Sequence, residues 1–170
     1  MASILVSTWG GSASNSYVAY TEAASFITTS IVDFAAWTNA TTVQREAALI
    51  EATRDIDVLD FTGERYTSYQ KLSFPRCFDW NTSVSTSDLD QVILKEQVQK
   101  AVSHQALWIL RQSGRNTHAE RIATGIAAIS ETIGPIHESV TYAGRTSMRI
   151  CPEAVSYLNQ WLSARKVYRA

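Results

Sequence analysis

The spacing of Leu94, Val98, Ala101, Val102, Gln105, Trp108 and Ile109 constrains this chain more than any other feature. Intervals of three and four residues put all seven on one face of an α-helix, and a stripe so apolar has to be covered by other elements. Ser87, with Asp90 three positions later, supplies a start signal and Ser113-Gly114 a stop, so the spacing predicts the longest helix from Ser87 through about Gln112. At 170 residues the chain is most simply one domain, with roughly 70% of its unfolded surface buried. A core of that size requires neither a disulfide nor a metal staple.

Shorter elements are expected around that helix. Thr21 is placed as the N-cap of a short helix through Phe26 and Ile27, with Glu22 at the positive end of the helix dipole. A second piece around Asp33 to Trp37 would carry Phe34 and Trp37 on one face. Thr41 and Gln44 form a capping box ahead of a longer helix, on which Val43, Ala47, Ile50, Arg54, Asp57 and Phe61 recur at three- or four-residue intervals. Gly63 suits the stop of that helix. Arg54 and Asp57 stand three apart on the stripe, so they could pair with each other or reach into the Phe74-Pro75-Arg76 loop.

From Glu64 to Thr86 no period is sustained. The stretch reads as a long loop holding Tyr66, Tyr69, Phe74, Phe78 and Trp80, and a loop so aromatic must pack on its own helices or on a neighbouring subunit. Pro75 keeps Phe74 out of the helical region by crowding it. After a turn or short helix near Asn116 to Ile122, the runs Ile126 to Ile133 and Ile136 to Tyr142 flank Gly134-Pro135 as a two-stranded hairpin. Pro152 opens a final helix with Ala154, Val155, Leu158, Trp161 and Leu162 apolar. The expected fold is mainly α: a small helical bundle with a long aromatic loop and one β hairpin before a C-terminal helix. Residues 1–16 read as a flexible N-terminal arm, 17–162 as a single domain and 163–170 as a basic C-terminal tail.

Lysine plus arginine (15) nearly balance aspartate plus glutamate (16), which argues against a protein whose main task is to neutralise many phosphates. Apolar runs fall far short of the ~20 residues that cross a bilayer, and Met1-Ala2-Ser3-Ile4 lacks the basic start of a signal peptide. A soluble protein assembled in the cytoplasm is expected, with Cys77 and Cys151 as reduced thiols. His104, His118 and His137 stand on different elements without zinc-ligand spacing. Asp55, Asp57 and Asp60 fan around one helix rather than converge. Gly10-Gly11-Ser12 lacks the P-loop lysine, and no GxSxG occurs. No catalytic residue, metal or cofactor is expected, and the chain does not read as an enzyme.

Three segments carry a likeness. Asn15-Ser16-Tyr17-Val18 leads into Thr21-Glu22-Ala23, a helix carries Ala48-Leu49-Ile50-Glu51-Ala52-Thr53-Arg54-Asp55-Ile56-Asp57, and Gln70-Lys71-Leu72-Ser73-Phe74-Pro75-Arg76 follows. In that order they resemble the head-tail connector adaptors of tailed phages, small neck proteins between portal and tail, over approximately residues 15 to 162. Ser73 and Cys77 at the motif, and the length from Ser113 to Ile126, depart from the family pattern. Members of the family are also labelled primosome-type, DnaT-like single-stranded-DNA-binding proteins, so the resemblance implies two functions. The first is a structural virion protein at the head-tail interface, assembled in the host cytoplasm as a dodecameric ring beneath the portal. It would extend the DNA channel and dock the next neck or tail protein. Genomic DNA would pass without specific binding, and no membrane is involved. The second is a replication module that binds single strands.

The candidate site residues fall into two groups. Arg54, Asp57, Gln70, Leu72, Phe74, Pro75 and Arg76 form either an internal clasp, with Leu72 and Phe74 plugging the bundle and Arg76 meeting Asp57 or Asp60, or a contact to the adjacent protomer. Trp161, Arg165, Lys166, Val167, Tyr168 and Arg169 form either a solvated end or a portal- or neighbour-docking segment with apolar anchors and cations for an acidic partner. For single strands, Tyr66, Tyr69 and Trp80 with Arg65, Lys71 and Arg76 would supply stacking faces and charge. A ring needs two different complementary patches on each subunit. The aromatic loop and hairpin on one side, and the helix from Arg45 to Asp60 on the other, are the candidates.

Overall fold

The computed structural model describes residues 4–29, 34–77, 89–113, 128–133, 136–141 and 150–163. In chain order the elements are α1 (Tyr20–Thr28), α2 (Ala35–Asn39), α3 (Thr42–Asp57), β1 (Glu64–Arg65), β2 (Arg76–Cys77), α4 (Leu89–Ser113), β3 (Ala128–Ile133), β4 (Ile136–Thr141) and α5 (Pro152–Leu158). A 3₁₀ turn over Asn159–Trp161 follows α5. The fold is mainly helical with a small antiparallel hairpin, as expected from the sequence. The N-cap expected at Ser87, the turn near Asn116 to Ile122, His118, Phe78, Trp80 and the tail residues Arg165, Lys166, Val167, Tyr168 and Arg169 lie outside the described residues.

Helix α4 is the axis on which α1, α2, α3 and α5 pack. Leu94, Val98, Ala101, Val102 and Gln105 are buried, and Trp108 and Ile109 pack partly exposed against the same core. Ala106 and Leu107, off the expected stripe, are buried as well, because helices cover α4 from more than one side. Three buried glutamines on α4 fasten it to its neighbours. Gln91 Nε2 donates to the Arg76 carbonyl at 3.1 Å, Gln99 Nε2 to Glu22 at 3.0 Å, and Gln105 Nε2 to Asp55 at 3.0 Å. Gln105 Oε1 in turn accepts the Cys151 N–H at 2.8 Å, so one side chain links α3, α4 and the start of α5. Cys151 caps α5 through its sulfur, which accepts the Ala154 N–H at 3.3 Å, and burial pushes the thiol up to about 11.

Helix α3 opens on the expected capping box: Thr41 Oγ1 accepts the Gln44 N–H at 3.3 Å, and Gln44 Oε1 accepts the Thr41 N–H at 2.8 Å. Its buried face differs from the expected one. Leu49, Ala52, Thr53 and Ile56 are buried, whereas Val43 is 56% exposed and Ala47 and Arg54 also face outward. Two sets of small or apolar residues share this helix at helical spacing, and the set with the alanines at 48 and 52 lets α3 approach α4 closely. The helix also ends at Asp57, with Val58 as its C-cap, rather than running to Gly63. Gly63 serves a different purpose, turning the chain into β1 at a φ of 74°, in the left-handed region that favours glycine.

Helix α1 begins at Tyr20 with Ala19 as its N-cap, two residues ahead of the expected Thr21 cap, because Glu22 accepts the Ala19 N–H at 3.1 Å. Trp37 of α2 is buried while Phe34 is partly exposed, so the two do not share a buried face. Arg45 secures α2 from α3, with Nε donating to the Trp37 carbonyl and Nη2 to the Thr38 carbonyl, both at 2.8 Å. The stretch expected as a flexible arm folds back on itself. Val6 N–H donates to Asn15 Oδ1 at 2.7 Å, Asn15 N–H to the Val6 carbonyl at 2.9 Å, and Ile4 N–H to Glu46 at 3.4 Å.

Burial makes α3 the element on which the two readings of its stripe separate. Leu49→Ala is expected to cost about 2–5 kcal/mol, the usual range for truncating an enclosed leucine, and Val43→Ala no more than about 0.5 kcal/mol. Urea unfolding of both variants checks this, and equal losses would return the core to the Val43 face.

Candidate functional site: the clasp between the N-terminal segment and the aromatic loop

Strands β1 and β2 pair antiparallel, Glu64 opposite Cys77 and Arg65 opposite Arg76, and residues 66–75 loop out between them. Gln70 organises that loop from inside. Its Oε1 accepts the Thr67 N–H at 3.0 Å, and its Nε2 donates to the carbonyls of Leu72 at 2.8 Å and Pro75 at 3.0 Å. The Tyr66 N–H also reaches the Pro75 carbonyl, at 3.1 Å. A buried amide that satisfies three backbone groups of a tight loop does what neither an acid nor a lysine can, because it both donates and accepts without charge.

Phe74 is the plug, 1% exposed. Its ring centroid lies 4.6 Å from that of Phe61, 5.7 Å from Tyr17 and 6.3 Å from Trp9, the first two edge to face. The Phe74-Pro75 bond is cis. Leu72 packs beside this cluster, partly buried. Gly10 at φ 72° passes over Pro75 so closely that a Cβ there would stand 3.2 Å from the proline Cδ. The backbone angle favours glycine at this crossing, and a side chain there would crowd the proline ring.

Beneath the plug lies a buried polar node. The Tyr17 hydroxyl donates to Asp57 Oδ1 and accepts the Phe74 N–H at 3.1 Å, while the Ser73 N–H donates to the same carboxylate oxygen at 2.8 Å. Burial, and then the neighbouring Asp57 carboxylate, raise the Tyr17 pKa well above its ordinary value. Three segments far apart in sequence meet here: the Asn-Ser-Tyr-Val entrance, the last turn of α3, and the loop.

Arg76 does not meet Asp57 or Asp60 by hydrogen bonds of its guanidinium. Nε donates to the Thr62 carbonyl at 2.7 Å, and Nη2 to those of Phe61, at 3.1 Å, and Gly63. Carbonyls win because the chain leaving α3 turns its acceptors toward β2, where the fork can take three at once. Burial lowers the Arg76 pKa from its usual value. Arg54 joins neither Asp57 nor the loop. It faces solvent and pairs with Glu51 at 3.1 Å. Of the residues read as a clasp, Asp57, Gln70, Leu72, Phe74, Pro75 and Arg76 come together, and Arg54 does not.

Trp161 departs from the docking role expected of it. It is 7% exposed in the core, the natural result of its spacing from Ala154 and Leu158 on one helical face. Its carbonyl accepts the Thr62 N–H at 2.8 Å, Leu162 bridges to Phe61, and Ser163 N–H donates to the Asp60 carbonyl at 2.8 Å. The C-terminal helix thus closes over the end of α3. Tyr17, Trp9, Gly10 and Gln91 belong to the site and were not singled out as site residues from sequence. Tyr17 had a signal in the Asn15-Ser16-Tyr17-Val18 run, whereas Trp9 and Gly10 lay in the stretch read as a flexible N-terminal arm.

Two surfaces remain open. On the outer side of the β1–β2 loop, Tyr69 is 69% and Tyr66 41% exposed, beside exposed Arg65 and Lys71. On the outer side of α3, Ala36, Ala40, Ala47, Ile50, Ile109 and Leu110 line a broad groove of about 860 Å³. Among the described residues no group of three or more histidines, cysteines, aspartates or glutamates is placed to hold a metal, and no helix is long and apolar enough to cross a membrane.

Truncating the loop's central amide should be felt throughout the clasp. Gln70→Ala takes the amide partner from the Thr67 N–H and the Leu72 carbonyl and leaves the Pro75 carbonyl with Tyr66 alone, for an expected loss of about 1–3 kcal/mol, while Lys71→Ala next door changes stability by less than about 0.5 kcal/mol. Denaturant midpoints of the two variants test it. The tyrosine has its own signature in pH. A phenol whose folded pKa is raised contributes stability that is complete below its unfolded value of about 10 and is lost as pH rises beyond it. The wild-type chain should therefore lose stability above about pH 10 more steeply than Tyr17→Phe, and parallel curves for the two would remove Tyr17 from the node.

Comparison with known proteins adds one finding. The model of a family described as "Putative DnaT-like ssDNA binding protein" matches residues 1–169. No curated protein matches, and no solved structure does. By a match over practically its whole length, the chain belongs to this DnaT-like family.

Proposed function

We propose that the protein is a structural virion component, the head-tail connector adaptor that forms a ring beneath the portal, extends the DNA channel and docks the next neck or tail protein. The observation that carries this reading is the direction of the motif. Gln70, Leu72, Phe74, Pro75 and Arg76, together with Tyr17 and Asp57, turn inward to fix one backbone shape. Residues in which the resemblance to connectors resides thus build a rigid body and present no reactive group. A nearly balanced charge, 15 cations to 16 anions, suits a wall past which DNA slides without being gripped. In this reading twelve copies match the portal, and Arg165, Lys166, Val167, Tyr168 and Arg169 are the segment offered to the portal or a neighbour. The assembled site is the virion's head-tail interface, reached from the host cytoplasm.

A second reading, a single-stranded-DNA-binding replication module, is favoured by one observation. Tyr66 and Tyr69 stand exposed beside Arg65 and Lys71, the combination of flat faces and cations that single strands use. The family's description names the same ligand.

Electron microscopy of the purified chain mixed with the portal of its phage separates the two. The connector should add a ring of density to the portal's tail-facing end, and a portal left bare would overturn the assignment. In parallel, fluorescence anisotropy with a labelled oligothymidine should show weak binding at physiological salt. Tight binding that falls steeply with salt and is abolished by Tyr69→Ala would instead establish the replication module.

A further inference from the structure

The clasp turns its polar groups inward and leaves two phenol rings outside. Tyr66 and Tyr69 stand exposed on the loop between β1 and β2, with exposed Arg65 and Lys71 next to them in the chain. The backbone that carries these rings is held by the Gln70 amide, which joins Thr67, Leu72 and Pro75. Rings presented on a backbone already fixed lose little further freedom when they bind, which removes part of the cost of association. Tyrosine is also among the side chains enriched as anchors in protein interfaces.

Charge decides which kind of partner suits the loop. The exposed carboxylates of Asp60 and Glu64 offset the exposed cations of Arg65 and Lys71, so the surface around the rings is balanced. Affinity for phosphates grows with the number of cationic contacts, and a balanced surface gains little from it. A protein surface with room for the rings and a carboxylate of its own is the better fit.

The groove on the outer side of α3 has that character. It is apolar along Ala36, Ala40, Ala47 and Ile50, and its volume of about 860 Å³ falls within the roughly 300–1,000 Å³ of clefts that enclose a ligand. Short alanine side chains leave the space that a ring would fill. Glu51 lines the same groove with its side chain 45% exposed, and it holds Arg54 in a surface pair that leaves lone pairs for a second cation. None of the residues lining the groove comes from the β1–β2 loop of the same chain. Loop and groove are different patches of one subunit, so a contact between them is heterologous and repeats head to tail, the arrangement a closed ring requires.

We propose that the β1–β2 loop of one copy seats Tyr66 and Tyr69 in the α3 groove of a second copy of this chain, with Lys71 meeting Glu51. The inference rests on the reading of the protein as a ring-forming adaptor and names the two surfaces that would close the ring. It also gives the clasp a purpose beyond stability, since the inward hydrogen bonds fix the outward presentation of the rings.

Sedimentation velocity of the full chain at rising concentration tests the contact, with circular dichroism confirming that each variant folds. Tyr69 and Ala47 are exposed, so Tyr69→Ala, which removes a ring, and Ala47→Trp, which fills the groove, should fold as the wild type does. Each should weaken self-association about tenfold or more. Lys71→Glu and Glu51→Lys should each weaken it by a smaller factor, and the two together should restore it. Association unchanged in both Tyr69→Ala and Ala47→Trp, or a wild-type chain that stays monomeric throughout, overturns the contact. So does loss of oligothymidine binding in Tyr69→Ala with self-association unchanged, which assigns the tyrosines to nucleic acid. The ring reading itself is decided separately, by whether the chain adds density to the portal.

Discussion

Everything around the clasp depends on the hydrogen bonds that join Tyr17, Asp57 and the backbone of residues 73 and 74. A carboxylate oxygen shielded from water costs free energy unless donors replace the lost water, and here one oxygen, Asp57 Oδ1, is met by both the Tyr17 hydroxyl and the Ser73 N–H. The phenol in turn accepts from the Phe74 N–H, so the same two groups settle the loop's backbone just before the plug. Removing either partner strands the other in a site closed over by Phe61, Trp9 and Phe74. This mutual dependence explains why a loop of ten residues between two very short strands can hold one conformation. Its hydrogen bonds run inward to side chains on other segments rather than along a sheet.

Amides extend the same principle through the bundle. Gln70, Gln91, Gln99 and Gln105 are all buried; Gln70 ties its own loop together, and the other three fasten segments distant in the sequence. A glutamine brings a donor and an acceptor without the desolvation penalty of a charge, so it can tie helices together in a core made thin by alanines. Gln91 Oε1 alone of these amide oxygens is buried without a partner, and the strut there is held by its donor side only. Polar struts fix the relative rotation of helices more sharply than aliphatic contacts, since a hydrogen bond fails within a few tenths of an ångström whereas a leucine can repack.

Much of this architecture was legible from residue spacing. The α4 stripe, the Thr41 capping box, the hairpin around residues 134 and 135 and the Pro152 helix start are local patterns, and each appears where local chemistry puts it. Parts of the site were legible too, since Gln70, Phe74 and Asp57 converge as an internal clasp. What failed were choices among partners. Arg76 had carboxylates and carbonyls within reach in sequence, and only the path of the chain after α3 decides for the carbonyls. Trp161 looked like an anchor because of the basic residues after it, although its spacing from Leu158 already marked it as core. The N-terminal stretch read as linker from composition, and the contacts that order it, Gly10 on Pro75 and Asn15 on Val6, span distances that no local pattern reports.

Helix α3 shows why its buried face was misassigned and what the error reveals. Val43, Ala47 and Ile50 form a real stripe at helical spacing, as do Leu49, Ala52 and Ile56, and periodicity cannot rank two stripes of similar strength. The second set wins the core because α4 and the Tyr17 node lie on that side. The first set stays nearer the surface, with Val43 and Ala47 exposed and Ile50 half-buried. Helix α3 is thus apolar on two faces, one packed into the core and the other lining an open groove. Val43 and Ala47 lie outside the core, so substitutions at those two positions are expected to leave the fold intact.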